Sequence, residues 1–380
     1  MNESPRHILV AVCGMTPQII TETLFGIHQQ GAVFPTEIHL ITTAEGAFRA
    51  RQGLIEQGIL NKFCHDYDLP TPLLSDDTIH VLHDAAGNAM HDIRKPIENE
   101  YMADLIIDLI RELTGIKNTT LHVSLAGGRK TMGYYIGYAL SLFGRPQDCL
   151  SHVLVAEDYE ASAEFWYPTP YPKAMRNYQG KEVDARLADV HLAQIPFVRL
   201  RDWLPQPILQ EKQSFSEVVA NTQQAYQAHG LCIDVANKQL LVNDGDGVAL
   251  GDVDFAFYWF LARHMLRTGE GIGVLVEGEN DPGLGEDFLL FYRRVKGMDV
   301  GDADRTTEGL KFEERSTGVK KHGLNQKFIE QRKVAINKAL RIKYGALGVE
   351  RFGIQRQKSD QKSGRYYQIA TALDNLLIRE

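Results

Sequence analysis

Two cations directly follow two glycines near the middle of the sequence. The apolar residues 121–125 lead into Gly127 and Gly128, and Arg129 and Lys130 come next. Glycines let a backbone approach a ligand closely, and the first turn of a helix leaves N–H groups unpaired. Full positive charges at a helix N-terminus favour a bound phosphate. The residues therefore predict an anion site, and the alternative is an ordinary strand-to-helix turn whose cations face solvent.

The Gly-Arg-Lys-Thr sequence of this turn resembles a Walker A nucleotide loop only in part. That loop requires a glycine directly before its lysine, and Arg129 stands there in this chain. We therefore exclude a P-loop.

A second turn of the same kind follows the apolar residues 7–12, which are typical of a buried parallel strand. In this turn Gly14 precedes Thr16 and Pro17, and these two predict a helix with Thr16 as its N-cap. Ligands of open α/β sheets bind at the carboxyl edge of the strands. We expect the two turns to face the same edge.

The elements around the two turns alternate between strand and helix. The apolar patterns predict strands at 7–12, 37–42, 77–82, 121–125 and 151–155, and helices at 43–61, 98–113 and 131–143. Such alternation predicts an α/β fold with a Rossmann-like, doubly wound and mainly parallel sheet. The aromatic and proline-rich residues 165–172 are expected to be irregular.

Composition indicates an ordinary globular protein with two domains. The chain has 380 residues, of which 44% are hydrophobic and 24% charged. Residues 202–207 form the predicted boundary, with one domain over 1–204 and another over 205–380. The N-terminus shows no signal segment and no stretch is apolar enough for a membrane helix, so we expect a cytoplasmic protein.

No metal or cofactor site is expected from the sequence. The four cysteines are far apart and form no paired spacing. The pair His80 and His83, and the Asp-containing pairs His83-Asp84 and His91-Asp92, are possible ligands. Polar residues of a surface loop are the favoured interpretation, because no further ligands lie nearby at helical spacing.

The charge is distributed unevenly. Residues 311–365 hold fifteen Lys and Arg against five Asp and Glu, while the whole chain has a net charge of −8. A basic tail on an acidic body indicates a polyanionic partner for the tail. From residue 231 onward the sequence pattern predicts a hairpin at 231–242, a helix at 255–266, a basic helix at 325–344 and a terminal hairpin at 352–369, with a polar insertion at about 269–323.

The first domain resembles the CARF domain of type III CRISPR systems. The resemblance rests on the two turns, residues 14–23 and 124–132, which lie about 110 residues apart. It implies a Rossmann-like homodimer that binds cyclic oligoadenylates, and cyclic tetra-adenylate is the ring expected for this chain. The ligand-binding positions it implies are Gly14, Met15, Gln18, Ser124, Gly127, Gly128, Arg129 and Thr131.

Ring nucleases within that family cleave cyclic tetra-adenylate, and the resemblance aligns Lys130 with their catalytic lysine. Thr16 aligns with a first-loop hydroxyl that is often a serine. A ribose 2′-hydroxyl can attack its neighbouring phosphate without a metal if the attacking and leaving oxygens are in line. This gives linear products that end in a 2′,3′-cyclic phosphate.

The second domain resembles an α+β winged helix of the response-regulator type, with residues 327–344 as the recognition helix. The resemblance implies a possible double-stranded DNA partner. Phosphates would be met by Lys327, Arg332, Lys333, Lys338 and Arg341, and a base edge by Asn337. A basic helix in a protein-contact domain is the alternative.

Three functional hypotheses follow from these patterns. The first is a ring nuclease joined to a DNA-binding winged helix, and the second is a non-enzymatic transcription regulator that responds to cyclic oligoadenylate. The third is a HEPN ribonuclease, prompted by the spacing of Arg186 and His191. The apolar residues around His191 favour a sheet edge over a HEPN helix.

Overall fold

The computed structural model describes residues 5–160, 162–227, 230–243, 245, 247–275, 282–297, 324, 326–358 and 364–380. The chain divides into two compact units. The first contains Met1–Arg201 and Leu209–Val218, and the second contains Asp202–Ile208 and Val219–Glu380. The first unit thus extends beyond the boundary expected at residue 204.

Phe215 explains this extension of the first unit. Its backbone N–H donates a hydrogen bond to Asp104 Oδ1 at 2.7 Å. Its ring lies 4.9 Å from the ring of Tyr135 in an edge-on arrangement. Residues 209–218 therefore pack on the first unit although they follow the boundary predicted at residues 202–207.

The first unit is built on a six-stranded sheet in the order β3-β2-β1-β4-β5-β8. Every strand pair is parallel except β5 with β8, which is antiparallel. The predicted mainly parallel α/β architecture is confirmed, and this strand order is compatible with a Rossmann-like fold. The strands of this unit, with the separate hairpin β6–β7, are β1 (Arg6–Val12), β2 (Glu37–Thr42), β3 (Ile79–Val81), β4 (Thr119–Ser124), β5 (Cys149–Val155), β6 (Ala174–Arg176), β7 (Glu182–Asp184) and β8 (Val190–Gln194).

The helices of the first unit largely follow the predicted pattern. They are α1 (Gln18–Gln29), α2 (Ala44–Ala50), α3 (Ile59–Asp66), α4 (Pro96–Gly115) and α5 (Lys130–Phe143). The prediction of a single helix at 43–61 was wrong. The chain runs from α2 into a π-helical turn at Arg51–Glu56. The helical path then stops at Gly58, whose φ is +67°, and the separate helix α3 begins at the next residue.

Helices cover both faces of the sheet and hold the strand ends in place. Leu9 and Leu40 pack with Ile20 and Leu24 of α1 in one buried cluster. On the other face Val123 is fully buried, and α4 and α5 contact β4. Burial on both faces explains why these strands read as continuous apolar runs.

The described residues of the second unit form two small sheets in the orders β11-β10-β9-β15 and β12-β14-β13. Both predicted hairpins are confirmed as antiparallel pairs. Strand β15 pairs in parallel with β9, which the sequence did not indicate. The remaining elements are α6 (Gln206–Gln210), α7 (Phe215–Gln227), β9 (Leu231–Asp234), β10 (Gln239–Val242), β11 (Val248–Ala249), α8 (Asp252–Thr268), β12 (Ile272–Leu275), α9 (Pro282–Lys296), α10 (Gln326–Phe352), β13 (Ile354–Lys358), β14 (Gly364–Ile369) and β15 (Leu376–Arg379).

The stretch expected to be an insertion begins with two elements of the core. Strand β12 pairs with β14, and Phe288 of α9 is buried against Phe257 and Phe328. Residues 298–323 of that stretch lie outside the described residues, as do residues 359–363 between β13 and β14. None of the described helices is both long and apolar enough to cross a membrane.

Candidate functional site

The two glycine-containing turns touch each other at the carboxyl edge of the sheet. Strands β1 and β4 are neighbours in the sheet. The chain continues from β1 to β2 on one side of this pair and from β4 to β5 on the other side, so the strand order reverses between β1 and β4. Such a switch point is where open α/β sheets bind ligands. A Cβ atom built on Gly14 would lie 3.2 Å from Gly128 Cα. The expectation that both turns face one edge is confirmed.

Backbone conformation and close packing require glycine at these turns. Gly127 and Gly128 have φ values of +87° and +70°, in the region that side chains disfavour. A Cβ on Gly127 would lie 2.8 Å from Ile19 Cδ1 and 3.1 Å from the Val12 carbonyl oxygen. The turn after β4 is therefore packed directly against the end of β1.

The start of α2 adds a third close approach, which the sequence analysis missed. A Cβ on Gly46 would lie 2.7 Å from the carbonyl oxygen of Gly14. Thr42 fixes the same turn, because its hydroxyl donates to the Cys13 carbonyl oxygen at 2.8 Å. Gly46 stands inside a helical pattern, and only its contacts in the folded chain, with Thr42 Oγ1 first and the Gly14 carbonyl oxygen second, show why it is glycine.

The cations of the second turn lie at the beginning of α5. Arg129 directly precedes the helix, and Lys130 and Thr131 are its first residues. All three side chains are exposed. Among the described residues Lys130 has no ion-pair or hydrogen-bond partner, so its ammonium group is available to an anion.

Arg129 is paired with a carboxylate from the loop that precedes α4. Its Nε donates to Asp92 Oδ1 at 3.0 Å and its Nη2 donates to Asp92 Oδ2 at 2.6 Å. Arg94 Nε donates to the same Oδ2 at 2.9 Å. These hydrogen bonds hold the pKa of Asp92 well below its usual range, and Arg129 contributes more to this shift than Arg94. The pairing in turn raises the pKa of Arg129.

A cavity of about 440 Å³ lies between these groups. Its walls are the Gly14–Met15 turn, the Gly128–Arg129 turn, Thr43 and Glu45 at the start of α2, and residues 91–94. This volume falls within the range of small-molecule sites. A second cavity of about 840 Å³ shares His91, Asp92 and Arg94 with the first.

The structure brings Met15 and Thr16 to the same edge, both exposed. Thr16 is not the N-cap of α1, and that prediction was wrong. Pro17 itself precedes the helix with helical angles of φ −68° and ψ −7°, and no side chain caps this end. The Thr16 hydroxyl has no partner among the residues described, so it remains open to a ligand.

Gln18 and Ser124 are less exposed than Met15 and Thr16. Gln18 Nε2 donates to the Ala163 carbonyl oxygen at 3.4 Å, and its Oε1 is buried without a partner among the described residues. Ser124 is fully buried; its hydroxyl accepts from the Ala126 N–H at 3.3 Å and lies 3.4 Å from Thr23 Oγ1. The Ser124 hydroxyl therefore holds the turn from inside.

The histidines considered as metal ligands do not form a metal centre in the described part of the chain. No group of three or more His, Cys, Asp or Glu there has a suitable arrangement. His80 Nε2 instead lies 2.8 Å from His39 Nδ1, and His39 Nε2 lies 2.7 Å from Glu37 Oε1. Burial is the main cause that lowers the pKa of His80 to about 4, and the neighbouring His39 is the second cause.

The candidate DNA-binding residues of α10 fall into two groups. Arg332 Nη1 donates to Asp254 Oδ1 at 2.9 Å, and Lys333 Nζ donates to Glu330 Oε2 at 3.1 Å. Asn337 donates to the Ile354 carbonyl oxygen and accepts from the Ile354 N–H, at 3.0 and 2.8 Å. These three side chains are engaged within the second unit.

Three of the candidates lie on the exposed face of α10. Lys327, Lys338 and Arg341 are exposed, at spacings that share one side of a helix. Gln331 and Val334, which the sequence analysis did not select, belong to the same exposed face. Only the pattern of burial along the helix separates this face from the inward one.

The HEPN hypothesis does not fit the structure. Arg186 belongs to a 3-10 turn at Ala185–Leu187, and His191 belongs to β8 at the edge of the sheet. Each pairs with its own carboxylate, Arg186 with Asp184 and His191 with Asp189. The two side chains are not presented by one helix.

Comparison with known proteins identifies a family for more than half of the chain. Residues 16–228 match the family described as CRISPR-associated protein NE0113. The matched region runs from Thr16 through the second glycine turn, and it ends before α10. No curated protein matches the chain. The chain therefore belongs to the CRISPR-associated protein NE0113 family.

Proposed function

We propose that the first unit is a CARF domain that binds cyclic tetra-adenylate and cleaves it as a ring nuclease. The observation that carries this proposal is the contact between the Gly14 and Gly128 turns, with Lys130 exposed at the same edge. A ring of phosphodiesters needs an open site with cations and N–H groups, and the start of α5 supplies both, although the Arg129 and Met132 N–H groups already donate to Met132 Sδ and to the Arg129 carbonyl oxygen. Membership in a CRISPR-associated family is consistent with such a ligand.

The cleavage step needs only the ligand and this chain's own residues. A ribose 2′-oxygen attacks the adjacent phosphorus; the new O2′–P bond forms as the O5′–P bond breaks. The 2′-hydroxyl proton passes to solvent, and the leaving 5′-oxygen takes up a proton. Lys130 stabilises the charge that gathers on the phosphoryl oxygens, while the Thr16 hydroxyl and the first N–H groups of α5 hold the geometry.

A homodimer presents two copies of Lys130 to a ring with four phosphates. Two-fold symmetry of the protein matches the symmetry of the ring, so two equivalent cuts give two linear di-adenylates. The products end in a 2′,3′-cyclic phosphate because no water takes part in the step.

The proposal is tested by incubating the protein with labelled cyclic tetra-adenylate in EDTA. We expect linear products from the wild type and a loss of at least roughly a hundredfold in rate for Lys130→Ala, because a charge that stabilises the transition state is removed. Lys117→Ala is the matched control, since it removes another exposed lysine of the same unit. Binding of an intact ring without cleavage by the wild type would leave the alternative, a non-enzymatic regulator that responds to cyclic oligoadenylate.

We further propose that the second unit is a winged helix that binds double-stranded DNA. The exposed face of α10 supports this, because Lys327, Lys338 and Arg341 flank Gln331 and Val334. Cations suit phosphates, an amide suits adenine, and an apolar side chain suits the thymine methyl group. The hairpin β13–β14 follows the helix directly, as a wing does.

Fluorescence anisotropy with a labelled duplex tests the DNA proposal. Lys338→Ala and Arg341→Ala should each weaken binding several-fold and reduce its salt dependence. Lys333→Ala removes the same charge from the same helix, but this lysine is paired with Glu330, so we expect a smaller effect. Equal effects of all three variants, or no binding by the wild type, would contradict the proposal.

A further inference from the structure

We propose that Arg94 is an additional phosphate-binding residue of the first unit, and that Asp92 positions it beside Arg129. This inference rests on the proposed function. It adds to the site a cation from the loop between β3 and α4, a segment that the sequence analysis did not connect with the ligand. The chemical class of the ligand group is a phosphodiester next to the one held at Lys130.

The shared carboxylate fixes the spacing of the two guanidinium groups. Asp92 Oδ2 accepts from Arg94 Nε at 2.9 Å and from Arg129 Nη2 at 2.6 Å. Arg94 and Arg129 also line the same cavity, together with Gly14 and Gly128. Two arginines held on one carboxylate at a cavity wall form a paired cation site.

The loop that carries Arg94 is anchored at several points. Glu98 Oε2 accepts from the Arg94 and Lys95 N–H groups at 2.7 and 2.8 Å, which fixes the backbone at the start of α4. The Met90 carbonyl oxygen accepts from the Ala44 N–H at 2.8 Å, which ties the loop to the start of α2. The backbone that carries Arg94 is therefore preorganised.

Most of the Arg94 side chain is free to meet a ligand. Its side chain is 81% exposed, and its contact with Asp92 uses only Nε. The terminal nitrogens have no partner among the residues that the structure describes. Arg129 is more enclosed, with a side chain 50% exposed, and two of its nitrogens are engaged by Asp92.

The balance of charge at this edge favours a third cation for a polyanionic ligand. Glu45 and Asp92 both line the cavity, so their carboxylates offset two of the positive charges there. Lys130 and Arg129 alone would leave little net positive charge next to a ring with four phosphates. With Arg94, the two arginines of the cavity wall balance its two carboxylates, and Lys130 at the start of α5 gives this edge of the sheet a net positive charge.

The test measures binding of cyclic tetra-2′-deoxyadenylate, which lacks the attacking hydroxyls and stays intact. We expect Arg94→Ala to weaken binding roughly tenfold, the usual effect of losing a charge-assisted hydrogen bond. The loss of affinity between about 50 and about 200 mM salt should also be smaller than in the wild type. Arg51→Ala is the matched control, because Arg51 pairs with Asp76 in the same unit and lines neither cavity.

Asp92→Asn and Arg94→Lys test the positioning role. Asp92→Asn keeps both arginines but weakens their shared anchor, so we expect a raised KM for cyclic tetra-adenylate with kcat nearly unchanged. Arg94→Lys keeps the charge and should recover part of the affinity lost in Arg94→Ala. A structural defect would instead lower the melting temperature of these variants together with their activity.

The outcomes separate this inference from the proposed function. If the wild type binds the deoxy ring and Arg94→Ala behaves like Arg51→Ala, the role of Arg94 is wrong while the proposed function stands. If the wild type binds neither the deoxy ring nor cyclic tetra-adenylate, the proposed function is wrong and this inference falls with it.

Discussion

At the scale of single residues, the glycines of the two turns determine the shape of the site. Gly127 combines a φ of +87° with a tight contact against Ile19 and Val12. Sequence alone indicated that these glycines open an anion-binding turn. It did not indicate that Gly14 touches Gly128, because contacts between turns about 110 residues apart depend on the packing of the sheet.

Gly127→Ala should lower the free energy of unfolding by about 2–3 kcal/mol, from the positive φ and from overlap with neighbouring atoms. Gly87→Ala is the matched control. Gly87 has a similar φ of +84°, but a Cβ there meets nothing within 4 Å, so we expect only about 1 kcal/mol. Urea denaturation of the two variants measures the difference. Equal losses would contradict the close packing of the turn.

His122 gives the first unit a defined pH dependence. Burial lowers its pKa from 6.5 to about 4, and its Nε2 lies 2.7 Å from Ser151 Oγ. Between pH 6.5 and 4 the unfolded chain takes up a proton that the folded chain resists. The contribution of His122 to the stability of the folded state is therefore present above this pH range and is lost as the pH falls through it.

His122→Gln should remove this loss, which is on the order of 3 kcal/mol across the window. Comparing the wild type and the variant in chemical denaturation at several pH values cancels the contributions of other groups, such as Glu22. Burial raises the pKa of Glu22 to about 7, so it acts in the opposite direction. Parallel pH profiles for the two proteins would show that His122 is not the cause.

At the scale of secondary-structure elements, α10 shows where sequence reasoning reached its limit. The basic helix was predicted, and its existence is confirmed, although it extends to Phe352 with a break at Gly345. Charge alone could not separate Lys338, which is exposed, from Lys333, which pairs with Glu330. Which face of an amphipathic helix is buried depends on its partners, here α8 and β13.

Asn337 should act on stability rather than on nucleic-acid binding. Its amide makes two hydrogen bonds with the backbone of Ile354 at the start of β13. Asn337→Ala should therefore lower the free energy of unfolding of the second unit by about 1–3 kcal/mol, since buried polar groups lose their partners. Lys338→Ala, at the next position, should have little effect on stability. Thermal denaturation of both variants measures this, and equal melting temperatures would contradict the role of Asn337.

At the scale of the whole molecule, the chain joins two compact units, and the basic residues 311–365 belong to the second. The α/β unit could be predicted from the alternation of apolar strands and amphipathic helices. The exact end of this unit could not be predicted, because Phe215 follows the predicted boundary at residues 202–207 and still packs against Tyr135. The β12 strand was also missed, since four residues in a polar, glycine-rich stretch give no clear pattern.

The extended boundary predicts a difference between two fragments of the first unit. A fragment of residues 1–218 should be more stable than one of residues 1–204 by roughly 2 kcal/mol, because the shorter one loses the apolar contacts of Phe215. We expect its melting temperature to be higher by roughly 5 °C. Differential scanning calorimetry measures this. Equal melting temperatures would favour the boundary at residue 204.

The most direct test of the central claim is the mass of the product formed from cyclic tetra-adenylate in EDTA. Attack by two 2′-hydroxyls predicts linear di-adenylates with 2′,3′-cyclic phosphate ends and half the mass of the ring, formed by the wild type and greatly reduced in Lys130→Ala. Products heavier by one water molecule per cut from the outset, or a ring that stays intact with the wild type, would contradict it.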